Sequence, residues 1–354
     1  MEHVYEYLTF LAQTVTIVVA IVVIVSAMAA FSMKRQQHPS GHLEVRKLNE
    51  HFSDLKVAVQ QAMLPATAAR KMRKQEHKEN KKAAKREAKE LKQADANAPP
   101  AGRKRIYVLD FDGDLQASQV EHLSTEITAV LSAAREEDEV LLRLESAGGM
   151  VHSYGLAASQ LDRVRRRNVP LTVAVDKVAA SGGYLMAAVA NRSLAAPFAV
   201  LGSIGVVAQV PNVHRLLKRH DVDVEVLTAG QYKRTLTVLG ENTEEGRRKF
   251  IEELEDVHRL FKDYVGTRRE GLDLDAVATG ETWYGQDALE RKLVDEITTS
   301  DEYLVARSDE ADIFEVHWVE HKRPIERLLS QMEGSLDRIA GRWVERISQW
   351  RGGV

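Results

Sequence analysis

The chain has 354 residues, 49 of them Lys or Arg and 52 Asp or Glu, for a formal net charge of −3, and it contains no cysteine. That length holds one large or two ordinary domains with a substantial core. The absence of cysteine excludes a disulfide framework, a cysteine nucleophile and any thiolate metal site.

In chain order, the first feature is apolar. No charged residue occurs between positions 7 and 33, and residues 14–30 are dominated by Val, Ile and Ala. Such a run is long enough to cross a hydrocarbon core. The preceding flank is acidic (Glu2, Glu6), and the run exceeds the apolar stretch of a cleaved signal peptide. Residues 1–33 therefore read as a retained single-pass transmembrane anchor. Lys34, Arg35 and the basic stretch beyond them favour a cytoplasmic body under the positive-inside tendency.

Residues 34–104 read as an amphipathic helix followed by a lysine-rich linker. Leu43, Leu48, Phe52, Leu55, Val59 and Met63 recur at near-helical spacing. Residues 70–105 then hold fourteen Lys or Arg against five Asp or Glu. Without interleaved aromatics or a reading motif, this stretch argues against nucleic-acid binding. It reads as a solvated spacer, with anionic lipid as the alternative contact. Ala98-Pro99-Pro100-Ala101-Gly102 ends it.

Residues 105–300 alternate in period. Strands are predicted at 106–111, 140–144, 171–175, 199–207 and 222–227. Helices are predicted at 152–167, at 182–190 and from a cap at Thr243 to about residue 269. Strand–helix alternation of this kind predicts an α/β core with mostly parallel pairing. Residues 301–354 read as a C-terminal strand and an amphipathic helix. Leu328, Leu329, Met332, Leu336, Ile339, Trp343, Ile347 and Trp350 share one face of that helix, for core or oligomer packing or for a membrane surface.

The chemistry concentrates in short small-residue bends. Residues 179–184 read Ala-Ala-Ser-Gly-Gly-Tyr, which sets Ser181 on a tight strand-to-helix turn. Small neighbours let a substrate carbonyl approach, and the free N–H groups of a helix start can bind an oxyanion. Glu145-Ser146-Ala147-Gly148-Gly149 lies between a strand and a helix, where paired glycines turn the backbone and present an N–H. Leu201-Gly202-Ser203-Ile204-Gly205 is a second glycine-flanked serine, and residues 228–233 bring Lys233 into a small-residue loop. Singly, each has a bland reading: close helix packing, a tight turn, a surface lysine.

A serine needs a base, because its hydroxyl is scarcely ionised at neutral pH. Lysine serves only when neutral, which requires a desolvated setting against its ordinary value of about 10.4. Tyr232 and Leu236 are candidates to supply that setting beside Lys233, and Arg234 works against a charge there or faces solvent. Lys177, four residues before Ser181, is a competing amine expected on a strand-end loop facing away. His152 and His214 lack an obvious carboxylate orienter and read as surface or packing residues.

In combination, segments 145–151, 179–186, 202–206, 230–233 and 280–297 resemble the signal peptide peptidase A family, strongly over residues 105–300 and in layout over the whole chain. The resemblance implies an α/β fold, a ClpP/crotonase-like spiral of β-β-α units with an N-terminal transmembrane helix. It implies a membrane-anchored serine endopeptidase working through a Ser–Lys dyad. Position by position, Ser181 matches the nucleophile, Lys233 the general base, and Ser203 the hydroxyl that positions the lysine. Gly149 and Gly182 match the oxyanion-hole donors. Ala147 stands where the family usually has proline, which loosens that turn and leaves the glycine amides available. Residues 283–295 match a family signature with no evident catalytic role.

The resemblance further implies no metal or organic cofactor. It implies a ring-shaped homo-oligomer whose sites face an enclosed bowl, contact with membrane lipid, and peptide or unfolded-protein substrates such as remnant signal peptides. The expected location is the bacterial inner membrane. Two other classes compete with the peptidase reading. A crotonase-like enzyme acting on acyl-CoA thioesters would need acid/base carboxylates near the hole, where Glu145 is nearest. A catalytically silent membrane scaffold would tolerate loss of Ser181 or Lys233, and both are present.

Overall fold

In a computed structural model of the chain, the described residues are 14–16, 41–65, 68, 78, 82 and 103–320. Residues 44–317 form one compact unit, which holds every candidate site residue. The second unit joins residues 1–43 to 318–354, and only 14–16, 41–43 and 318–320 of it are described. The anchor predicted at 1–33 thus lies outside the described residues except for 14–16. So do most of the linker and the C-terminal amphipathic helix. Among the described residues no helix is long and apolar enough to cross a membrane.

The sheet carries the architecture. Its strands are β1 (Gly41–Lys47), β2 (Arg105–Gly113), β3 (Glu139–Ser146), β4 (Leu171–Val175), β5 (Val178–Ala180), β6 (Arg192–Ala195), β7 (Val200–Gly202), β8 (Thr282–Tyr284), β9 (Glu296–Ile297) and β10 (Asp312–Glu320). The main path runs β1-β10-β2-β3-β4-β6-β9, and a branch runs from β3 through β5 and β7 to β8. The pairs from β10 through β9 and on the branch are parallel, except that β8 returns antiparallel to β7. Parallel strands covered on both faces read as continuous apolar runs, and Leu171–Val175 is buried at all five positions.

The helices of the described residues are α1 (Leu48–Ala62), α2 (Val120–Ala133), α3 (Val151–Arg166), α4 (Gly182–Ala187), α5 (His214–Arg219), α6 (Glu244–Gly266), α7 (Leu274–Val277), α8 (Gly285–Glu290) and α9 (Ser300–Arg307). One core cluster joins Leu48 of α1 to Ile106, Val108, Leu141 and Leu194 of the sheet and to Leu304 of α9, with Phe52 packed at its margin. Leu48 and Phe52, read from the sequence as part of an amphipathic helix, thus point inward, whereas Leu43 of the same reading lies on strand β1 and Leu55, Val59 and Met63 are exposed. Thr243 caps α6 as expected, its hydroxyl accepting from the Gly246 amide at 3.0 Å.

The structure departs from the sequence reading in identifiable places. Residues 222–227 form no strand, although Val222, Val224 and Val226 alternate; a strand needs a partner for its N–H and C=O groups, and none of the described strands pairs with this one. The strand predicted at 199–207 stops at Gly202, where the chain turns left-handed. The helix predicted at 182–190 stops at Ala187. Helix α2 was not foreseen: Leu123, Ile127 and Val130 are buried, but Gln119 makes no capping bond, so the start signal is missing.

Candidate active site

The site forms where the branch leaves the main sheet. Ser146 at the end of β3 pairs with Ala179 of β5, and Ala180 pairs with Gly202 of β7. A serine follows each strand directly, and both serines have left-handed backbone, φ 51° at Ser181 and at Ser203. Such a φ is uncommon outside glycine and costs of order 1–3 kcal/mol. The Ser181 amide donates to the Gly202 carbonyl at 2.8 Å, and the Ser203 amide donates to the Glu281 carbonyl.

Ser181 occupies the N-cap position of α4, but its side chain makes no capping hydrogen bond. The hydroxyl is thus not spent on the helix. The Gly182 amide opens α4, where first-turn N–H groups have no intrahelical acceptor. The glycine loop after β3 lies directly against this turn. A Cβ on Gly148, whose φ is 89°, would stand 2.7 Å from the Gly182 nitrogen and 2.8 Å from Ser181 Cβ. A Cβ on Gly149 would stand 2.1 Å from the Leu115 carbonyl oxygen. Neither position accommodates a side chain. The structure therefore brings together Ser181, Gly182, Gly149 and Ser203, four of the five residues singled out in the sequence.

Lys233 is not joined to them by any hydrogen bond among the described residues. It is exposed, in a turn where its amide donates to the Gly230 carbonyl at 3.2 Å. It belongs to an excursion between β7 and α6, closed at its base by the Asn212 side-chain amide donating to the carbonyls of Thr237 and Gly240 at 2.9 and 3.0 Å. Neighbouring Tyr232 sits under the Lys249 ammonium, 5.5 Å from ring centre. The excursion exposes apolar residues, with Val207 at 84% and Leu227 at 88% exposure.

The competing groups are accounted for. The Lys177 ammonium donates to both Glu145 carboxylate oxygens, at 3.1 and 2.8 Å. That hydrogen bond and charge hold it above the usual lysine range, as a cation rather than a base. Glu145, the carboxylate a thioester enzyme would need, is committed to the same pair. His152 is exposed and His214 half-buried at the start of α5. Among the described residues no cluster of three metal-ligating side chains occurs.

Known proteins match this layout. Residues 2–161 match the profile of Peptidase family S49 N-terminal, and residues 163–313 that of Peptidase family S49. A protein of Haemophilus influenzae named "Probable protease SohB" is 47% identical over 97% of each chain. The chain belongs to peptidase family S49. A second protein named "Probable protease SohB", from Buchnera aphidicola of Schlechtendalia chinensis, is 59% identical over 57% of this chain and 66% of its own. A protein of Enterococcus faecium named "Putative signal peptide peptidase SppA" is 26% identical over 60% of each chain.

Within this S49 peptidase, two features escaped the sequence reading. The segment at 283–295 supports the second serine: Trp283 pairs with Leu201, and its ring fills the space a Cβ on Gly202 would take, 2.7 Å away. Tyr154 lies under Gly182, with its ring 2.4 Å from where a Cβ would stand. Neither carries a sequence signal beyond an aromatic at a core-facing position, because each acts on a glycine distant in the chain.

Proposed function

We propose that this S49 peptidase is a membrane-anchored serine endopeptidase in which Ser181 is the nucleophile and Lys233 the general base. Its domain follows the ClpP/crotonase-like spiral. The observation that carries the reading is the Ser181 turn: a strained serine whose hydroxyl makes no capping bond, followed by the Gly182 amide and lying against the Gly148–Gly149 loop. A neutral Lys233 takes the Ser181 proton as the oxygen attacks a peptide carbonyl. The developing oxyanion rests on the two glycine amides, and the protonated lysine then donates to the leaving amine. Water hydrolyses the acyl-enzyme, and the Ser203 hydroxyl orients the amine.

The exposed position of Lys233 fits this chemistry when copies of the chain associate. A lysine facing water keeps its proton; burial by a neighbouring copy supplies the dry setting a base requires. The bare apolar residues Val207, Leu216 and Leu227 of the same excursion support such association, because large exposed apolar patches mark interaction surfaces. A ring of copies around an enclosed space admits peptides and unfolded chains, including membrane-released signal-peptide remnants, and excludes folded proteins. The apolar run in residues 7–33 ties the assembly to lipid at the inner membrane of a bacterium, with the body on the cytoplasmic side by the charge rule. No metal or organic cofactor enters these steps.

The test is labelling of the full chain in detergent with a fluorophosphonate probe. Wild type labels, Ser181→Ala does not, and Lys233→Ala labels far more slowly. Equal labelling of all three overturns the dyad.

A further inference from the structure

Tyr154, on the first turn of α3, is fully buried, and the chemistry above does not use it. Its hydroxyl donates to the Asp114 carbonyl at 2.7 Å and lies 2.5 Å from Ser146 Oγ. Ser146 Oγ in turn accepts from the Gly148 amide at 3.1 Å. These bonds link the loop after β2 to the loop after β3. The Gly148 N–H donates to Ser146, the Tyr154 hydroxyl donates to the Asp114 carbonyl, and the Ser146 hydroxyl has both the Gly113 carbonyl, at 3.2 Å, and the Tyr154 oxygen as acceptors. Burial raises the phenol above the usual tyrosine range, so it remains a donor through neutral pH.

We propose that Tyr154 is a positioning residue that fixes the oxyanion-binding amides of Gly149 and Gly182 together, an inference resting on the reading of Ser181 as nucleophile. Its two ends act on the two donors. The ring occupies the space beside Gly182, so that amide cannot shift toward α3. The hydroxyl ties down the Asp114–Leu115 strip, and the Leu115 carbonyl accepts the Met150 amide at 2.8 Å and abuts Gly149. Ser146 carries the same restraint into Gly148. A phenylalanine would fill this volume without any polar atom in the core. The hydroxyl is there because two loops from different strands must keep one spacing, and hydrogen bonds in a dry setting hold such a spacing tightly.

Tyr154→Phe in the full-length protein is the test, because it keeps the ring and removes only the relay. With active sites counted by fluorophosphonate, kcat on a fluorogenic peptide falls about ten- to a hundredfold while KM stays within about twofold, short of the loss from deleting a whole oxyanion donor. Affinity for a peptide boronate, which forms a tetrahedral adduct, falls by the same factor as kcat/KM. Ser146→Ala gives the same kcat-selective loss, and carries the test if Tyr154→Phe does not fold. Tyr303→Phe, which removes a buried hydroxyl bonded to Glu139, leaves kcat per active site unchanged. Unaltered kcat and boronate affinity in both Tyr154→Phe and Ser146→Ala, with only a lower Tm, overturn the positioning role while leaving the Ser181 reading intact. Hydrolysis surviving Ser181→Ala overturns both.

Discussion

Ser181 and Ser203 stand side by side at the ends of neighbouring parallel strands, tied by the Ser181 amide donating to the Gly202 carbonyl at 2.8 Å. Both sit at φ 51°. Two left-handed serines in adjacent positions are costly, and the surroundings hold them there: the Gly148 backbone lies against one, and the Glu281–Trp283 strip backs the other. Strain of this kind accumulates where a site needs a side chain aimed against local preference.

That strain is measurable. Ser181→Gly removes the left-handed penalty and raises stability by about 1 kcal/mol over wild type, whereas Ser181→Ala keeps the penalty and does not. Thermal melts of the three proteins decide it. A glycine variant no more stable than the alanine variant removes strain from the account.

The glycines of the site tolerate no methyl group. Gly149→Ala would press a Cβ onto the Leu115 carbonyl, which is backbone and cannot rotate away, and Gly182→Ala would press one into the Tyr154 ring. Each should cost about 1–3 kcal/mol by overpacking and remove nearly all turnover. Gly155→Ala, where nothing lies within 4 Å of the added Cβ, is the matched control and should behave as wild type. Circular dichroism melts and peptide hydrolysis on the same preparations report both effects.

Support for Ser203 comes from Trp283, so Trp283→Ala should lower kcat about tenfold or more, by freeing the Gly202–Ser203 bend, a displacement small in distance and large in rate. Trp283→Phe, which keeps an aromatic face over Gly202, should recover most of it. Recovery absent in the phenylalanine variant would point away from ring packing as the cause.

The exposed apolar residues predict association. Val207→Asp with Leu227→Asp places charges in the surface proposed to meet a second copy, so sedimentation should show smaller particles and hydrolysis should fall in step. If the particles shrink and full activity remains, Lys233 does not depend on a neighbour.

Acid should loosen the core through Glu139. Burial by itself would push this carboxyl up, but hydrogen bonds from Lys104, Tyr303 and Thr172 and the lysine charge prevail and hold it below the usual range. A depressed carboxyl contributes stability that is present above its unfolded value, about 4.3, and is lost as pH falls through the lower folded value. Wild type should therefore lose this increment below about pH 4.3. Glu139→Gln should start about 1–3 kcal/mol less stable at pH 7 and lose less on acidification. Urea melts between pH 7 and 3 follow both curves.

Much of this protein was legible in one dimension. Strand β4 and the capped helix α6 follow from buried apolar runs and a threonine cap, signals confined to a few neighbouring residues. Ser181, Gly149, Gly182 and Ser203 were candidates in the sequence because they lie in small-residue bends and match positions of the family's motifs. What required the fold was everything that joins distant positions. The roles of Tyr154 and Trp283 lie in the glycines they press upon, 28 and 81 residues away in the sequence. The strand expected at 222–227 failed for the complementary reason: alternation states which faces are apolar, but only an adjacent edge lets the backbone form a strand. Sequence chooses side chains and local turns, whereas the spacing between two loops is set by the sheet that carries them.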